Sequence, residues 1–130
     1  MNQLTYKILI IGDKDDIHLD LVNHFNALGY LVFSVKNTTE AVKLLDSRLP
    51  DLIITKLSFP NMDEFKILKY FRKKSNDSLI PIILLSTKID GIMIKKIITY
   101  NINNYLRIPF KISELNNIVN ELIKGDKAIN

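Results

Sequence analysis

Pro50-Asp51-Leu52-Ile53-Ile54-Thr55-Lys56-Leu57-Ser58-Phe59-Pro60-Asn61-Met62-Asp63-Glu64-Phe65 is the stretch whose reading decides the fold. Asp51 to Lys56 is a short apolar run bounded by Pro50, the pattern of a strand buried on both faces. From Met62 the apolar residues change spacing, and a helix is predicted over 62–74 with Phe65, Leu68 and Phe71 turned inward. A strand passing directly into a helix is one βα unit, and the same unit recurs in both directions from here.

Upstream, Tyr6 to Ile11 is a strand closed by Gly12. Asp13, Asp15 and Asp16 are placed to cap the helix that follows and to favour its positive end. Ile17, Leu21, Val22, Phe25 and Leu28 recur at helical spacing, and Gly29 supplies the stop. A second strand is predicted over 30–35, then a helix capped by Thr38 or Thr39 that ends before Pro50. Downstream, 79–85 reads as a strongly apolar strand, 88–100 as a helix and 103–106 as a short strand before Pro109. The last helix has Ser113 and Glu114 in its first turn, with Leu115, Ile118, Val119 and Leu122 on one face. Five βα units in a row predict a parallel sheet with helices on both faces, because each crossover is right-handed. Residues 1–124 are read as one domain and 125–130 as a polar tail or the start of a linker. In such sheets functional groups gather beyond the carboxyl ends of the strands. The positions to question are therefore Gly12-Asp13, Lys56, Ser86-Thr87 and Arg107-Ile108-Pro109.

Composition narrows the chemistry. With no cysteine, disulfide scaffolds, Cys-zinc sites and thiol catalysis are excluded. His18 and His24 are not spaced as i, i+4 metal ligands, and no P-loop or glycine-rich nucleotide fingerprint is present. No metal, cofactor or catalytic residue is assigned, and the chain is read as a non-enzyme. No apolar run reaches membrane-spanning length and the N-terminus has no secretory layout, so a cytoplasmic address is expected. The net charge of +4 comes from scattered lysines, with only Arg48, Arg72 and Arg107 offering guanidinium groups, so direct nucleic-acid binding is not expected.

Three motifs resemble the receiver, or response-regulator, family of two-component signalling. The opening stretch is similar to that family's third strand and loop. Pro81-Ile82-Ile83-Leu84-Leu85-Ser86-Thr87 resembles its fourth strand, and Asn104-Tyr105-Leu106-Arg107-Ile108-Pro109-Phe110 its fifth strand and Lys-Pro turn. The resemblance covers residues 6–124 and implies a flavodoxin-like (βα)5 fold: a doubly wound, five-stranded parallel α/β sheet. It also implies a phosphorylation pocket with an acidic pair, an acceptor Asp, a hydroxyl and a Lys. Here the acidic pair falls on Gly12 and Asp13, the acceptor on Lys56, the hydroxyl on Ser86, the small residue after it on Thr87, and the Lys on Ile108. The resemblance further implies a cis Ile108-Pro109 bond and an aromatic switch at Tyr105.

Lys56 offers no carboxylate oxygen to phosphorylate, and one remaining acid is a poor set of ligands for Mg²⁺. The expectation is a degenerate pocket in which Asp13 and Lys56 form an ion pair without metal. At about 4 Å and an effective dielectric near 20, such a pair attracts by roughly 4 kcal/mol before desolvation is subtracted. The bland alternative is a Lys56 that reaches out to solvent. Asp15 and Asp16 are assigned to helix capping and Asp63 to loop structure. Ile89, Met93, Ile97 and Tyr100 form a stripe facing the sheet, while Ile92, Ile94 and Ile98 extend apolar surface beyond it. With Tyr105 they suggest an output face over 88–100, 103–108 and 111–124 that binds a protein partner or a second copy. Frequent isoleucine in the composition is the competing explanation. The functional reading is an atypical, phosphorylation-independent receiver acting as a regulatory interaction module. The alternatives are the N-terminal receiver of a DNA-binding response regulator, or a receiver accepting phosphate on a non-standard residue.

Overall fold

A computed structural model describes residues 5–56, Lys69 and 80–124. Among these, five strands form one parallel sheet: β1 (Lys7–Ile11), β2 (Leu31–Val35), β3 (Leu52–Lys56), β4 (Ile82–Ser86) and β5 (Asn104–Arg107). Their order is β2-β1-β3-β4-β5, the flavodoxin-like arrangement expected from the sequence. The described helices are α1 (Asp16–Ala27), α2 (Thr38–Ser47), α3 (Gly91–Thr99) and α4 (Ile112–Lys124). Apart from Lys69, the helix predicted over 62–74, with Asp63, lies outside the described residues, as does the tail 125–130.

Side chains alternate across a strand, so each central strand feeds two cores. Leu9, Ile11, Ile53, Ile82 and Leu84 pack with Ala41 and Leu45 of α2 and with Met93 and Ile97 of α3. Ile8, Ile10, Leu52, Ile54, Ile83 and Leu85 pack on the other face with Leu21 and Phe25 of α1 and Leu115 and Val119 of α4. β1, β3 and β4 are therefore buried on both faces, which is why they read as unbroken apolar runs.

Element ends differ from the expectation where a side chain competes for a backbone donor. Asn37, not Thr38 or Thr39, caps α2: its Oδ1 accepts from the Glu40 N–H at 3.0 Å, and Glu40 answers by accepting from the Lys36 N–H. Asp90 accepts from the Met93 N–H at 3.0 Å, so α3 begins at Gly91 and not at Lys88. Asn103 spends its side-chain Oδ1 on the Ile82 N–H at 2.9 Å, and β5 runs one residue later than expected. β2 starts at Leu31, since the Tyr30 N–H is taken by the carbonyl of Phe25 at the end of α1. Gly29 ends α1 as expected, at a φ of 96° that few side chains tolerate.

Candidate functional site

The carboxyl ends of β1 and β3 lie side by side, because these strands pair directly with Ile11 opposite Thr55. The residues that follow, Gly12 and Lys56, are consequently in contact. Gly12 has a φ of 150°, and a Cβ built on it would lie 2.9 Å from the Lys56 Cβ. Only glycine meets both conditions, so the missing side chain at position 12 is the space Lys56 fills.

The Lys56 ammonium does not stand free in solvent but turns to a carboxylate. Its side chain is 10% exposed and forms an ion pair with the Asp15 carboxylate, whose side chain is 50% exposed. It also donates to the backbone carbonyl of Asp13 at 3.2 Å. This corrects the expected partner. The Asp13 side chain is exposed, and it is the next acid, Asp15, assigned from sequence to helix capping alone, that neutralises Lys56. Asp15 in fact performs both tasks, since its Oδ1 accepts from the His18 N–H at 3.0 Å and caps α1. The hydrogen bond from Lys56 is the main cause that holds the Asp15 carboxyl below its ordinary range, against a smaller opposing effect of burial.

The other expected pocket positions take different surroundings. Ser86 is fully buried, and its hydroxyl is closed on the backbone of Lys88, donating to the carbonyl at 3.1 Å and accepting from the N–H at 3.3 Å. Thr87 is exposed. Ile108 precedes a cis peptide bond to Pro109, as expected, and its N–H donates to the Ser86 carbonyl at 2.8 Å. The Ile108 side chain packs with the α1–α4 core and lines a groove of about 380 Å³ with Ile17, Asp20, Leu21, His24 and Phe110. Gly12, Asp13, Asp15, Lys56 and Ser86 thus gather at one end of the sheet, while Ile108 looks sideways into this groove.

On the opposite face, Ile92 is 62% and Ile98 70% exposed on α3, and Tyr105 is half-exposed in β5. Ile94 does not join them. It packs against the core with Ile89 and Tyr100, because it lies three residues before the buried Ile97 and shares its side of the helix. The apolar surface is therefore narrower than the isoleucine count suggested.

One buried residue escaped the sequence reading. His18 is fully buried with its Nε2 2.6 Å from the Ser34 hydroxyl of β2. Its signal was its spacing with Leu21 and Phe25, which places it on the inward stripe of α1. Among the described residues no group of three or more potential ligands could hold a metal, and no helix is long and apolar enough to cross a membrane.

A family model described as a response regulator receiver domain matches residues 8–120. The chain is 30% identical over 124 residues to the sensor histidine kinase TmoS of Ectopseudomonas mendocina, a match spanning 92% of this chain and 13% of that protein. It is 28% identical over 123 residues to the probable transcriptional regulator ycf27 of Cyanidium caldarium, spanning 95% of this chain and 48% of the relative. The chain thus covers less than half the length of either. Among solved structures, the signal receiver domain of an HD domain-containing protein from Pseudomonas fluorescens Pf-5 matches with a TM-score of 0.83 at 25% identity, over 96% of this chain and 99% of that one.

Proposed function

The chain belongs to the response regulator receiver family, and from that premise we propose that it is a degenerate receiver that regulates by protein contact without being phosphorylated. Receivers are signalling modules of two-component systems and not enzymes in the ordinary sense; the departure proposed for this chain lies in its pocket. The observation that carries it is the enclosed Lys56 ammonium, paired with Asp15, in the place where the acceptor carboxylate is expected. An ammonium cannot become an acyl phosphate, and it already supplies the positive charge that a divalent cation would bring among carboxylates. With that charge satisfied, a second lysine at position 108 would be an unpaired cation, and Ile108 removes it.

Contact is assigned to the face that carries Ile92, Ile98 and Tyr105, with a protein partner or a second copy as occupant. A cytoplasmic location accords with a signalling module of this kind. The relative lengths favour one variant of the same reading, in which residues 1–124 are the receiver part of a longer regulator that acts through a further domain. The transcriptional regulator of Cyanidium caldarium is about twice the length matched, since the match spans 48% of it.

The test is incubation with acetyl phosphate and Mg²⁺ followed by intact mass measurement. The expected spectrum is unchanged. A stable gain of one phosphoryl group, lost on substitution of any pocket residue, overturns the reading in favour of an ordinary or atypical phospho-acceptor.

A further inference from the structure

His18 joins two parts of the molecule that the pocket depends on. Its ring lies between α1 and β2, fully buried, and accepts or donates one hydrogen bond, between Nε2 and the Ser34 hydroxyl. Its other ring nitrogen, Nδ1, is buried with no hydrogen-bond partner among the described residues. Its backbone N–H, on the same residue, is held by the Asp15 carboxylate that also holds Lys56. Ser34, His18, Asp15 and Lys56 are therefore consecutive links from the edge strand β2 to the end of β3.

We propose that His18 is the sensing group of a proton-operated latch, in which protonation of its ring frees the first turn of α1 from β2 and releases Lys56 from Asp15. A neutral imidazole carries one donor and one acceptor nitrogen, so a single contact with Ser34 leaves one uncharged nitrogen unpaired. An imidazolium carries two N–H donors and a charge, and only one acceptor is within reach. A buried donor without an acceptor is penalised heavily, more so when charged. The ring must then leave its site, and it takes the N-cap with it because the cap bond is made to the same residue.

The charged surroundings do not supply the missing partner. Lys56 from β3 and Lys14 from the loop before α1 oppose a positive ring, while Asp13 and Asp15 from that loop favour it. Asp15 is already shared between the His18 N–H and Lys56. Burial outweighs the remaining attraction and lowers the His18 pKa below its ordinary 6.5. The sign follows: the unfolded or opened state binds the proton more readily, so the latch is fully closed above about pH 6.5 and loosens as pH falls from there toward the depressed value. Asp15, lowered from 3.8, keeps its charge throughout this window.

The experiment is residue-resolved amide hydrogen exchange and NMR titration of the whole chain between about pH 7.5 and 5. The expected result is a fall in protection of the His18 and Leu19 amides by up to about tenfold per pH unit below 6.5, after correction for intrinsic exchange chemistry. The Lys56 Nζ resonance moves with the same midpoint as the His18 ring. His18→Gln abolishes the pH dependence, and His24→Gln, which removes the chain's other imidazole, leaves it intact. A His18 ring that titrates while Lys56 and the α1 amides stay still overturns the proposal, whatever the variants do. So does a pH dependence that survives His18→Gln or disappears with His24→Gln. The inference rests on the geometry of the Lys56–Asp15 pair and not on the pocket's inertness toward phosphate, so the acetyl phosphate test can fail while this one succeeds, and the reverse.

Discussion

Replacing Asp15 in two steps separates its two tasks. Asp15→Asn keeps a side-chain oxygen able to cap α1 at the His18 N–H but removes the charge facing Lys56. Asp15→Ala removes both. Loss of an N-cap costs about 1 kcal/mol, within a range of roughly 0.5–2. The charge contributes through the helix dipole, by about 0.3–1 kcal/mol, and through the ion pair. That pair is not an ordinary surface pair, because the two partners differ in exposure. The Asp15 side chain is 50% exposed and is rehydrated when Lys56 is lost, whereas the Lys56 side chain is 10% exposed and keeps only the Asp13 carbonyl when Asp15 is lost. The half-exposed partner keeps the mutual attraction near the surface value of about 0–1 kcal/mol, but stranding the enclosed ammonium adds a penalty of about 1 kcal/mol. The expected losses are therefore about 2.3–4 kcal/mol for Asp15→Ala, about 1.3–3 for Asp15→Asn and below about 1 for Lys56→Met, which keeps the packed stem. The double variant Asp15→Asn with Lys56→Met is no less stable than Asp15→Asn alone, since nothing is left stranded. Urea midpoints at constant slope measure each value. Equal losses for Asp15→Asn and Asp15→Ala refute the capping role. Strict additivity in the double variant refutes the pair.

Gly12→Ala is expected to lose about 2–4 kcal/mol, from a φ of 150° and a contact of 2.9 Å with the Lys56 Cβ, read as a lowered urea midpoint. Lys56→Asp does not rescue it, because the offending Cβ remains. In acid, the Asp15 carboxyl is held below 3.8 by Lys56, so the unfolded chain binds its proton first; the stability it contributes is present above about pH 4 and is lost as pH falls through the depressed value. Urea midpoints measured from about pH 5 downward fall less steeply in Lys56→Met than in the parent, and identical slopes contradict the assignment. Ile92→Lys and Ile98→Lys each change stability by less than about 0.5 kcal/mol and abolish concentration-dependent light scattering if the face pairs with a second copy; a parent that is monomeric at every concentration removes self-association.

The fold was legible because its central strands are buried on both sides. Ile8 to Ile11, Leu52 to Ile54 and Ile82 to Leu85 have no polar alternation to blur them, and glycine, proline or an acid closes each one. Element ends were less legible for one recurring reason. At Asn37, Asp90 and Asn103 a short polar side chain takes a backbone donor from the neighbouring element, and sequence spacing leaves several residues equally able to do so. The same ambiguity moved the ion pair. Asp13 and Asp15 are both within a few residues of the strand end, and the choice between them is made by the cap: a carboxylate bent back toward the His18 N–H is also turned toward β3. Ile94 was misplaced because, three residues before the buried Ile97, it lies at the edge of the inward stripe and packs against the core, so only Ile92 and Ile98 are exposed.

The changes at positions 12 and 56 are one change seen from two strands. β1 and β3 are adjacent, and the stem of Lys56 lies over the Gly12 backbone, with Cε as close as 3.4 Å to where a Cβ would be. In this backbone geometry any side chain at position 12 would overlap the Cβ at position 56, so the two positions are coupled through the backbone as well as through the lysine stem. Here the ammonium has a carboxylate, the carboxylate has a helix to cap, and the void left by the missing acid is filled by the lysine stem.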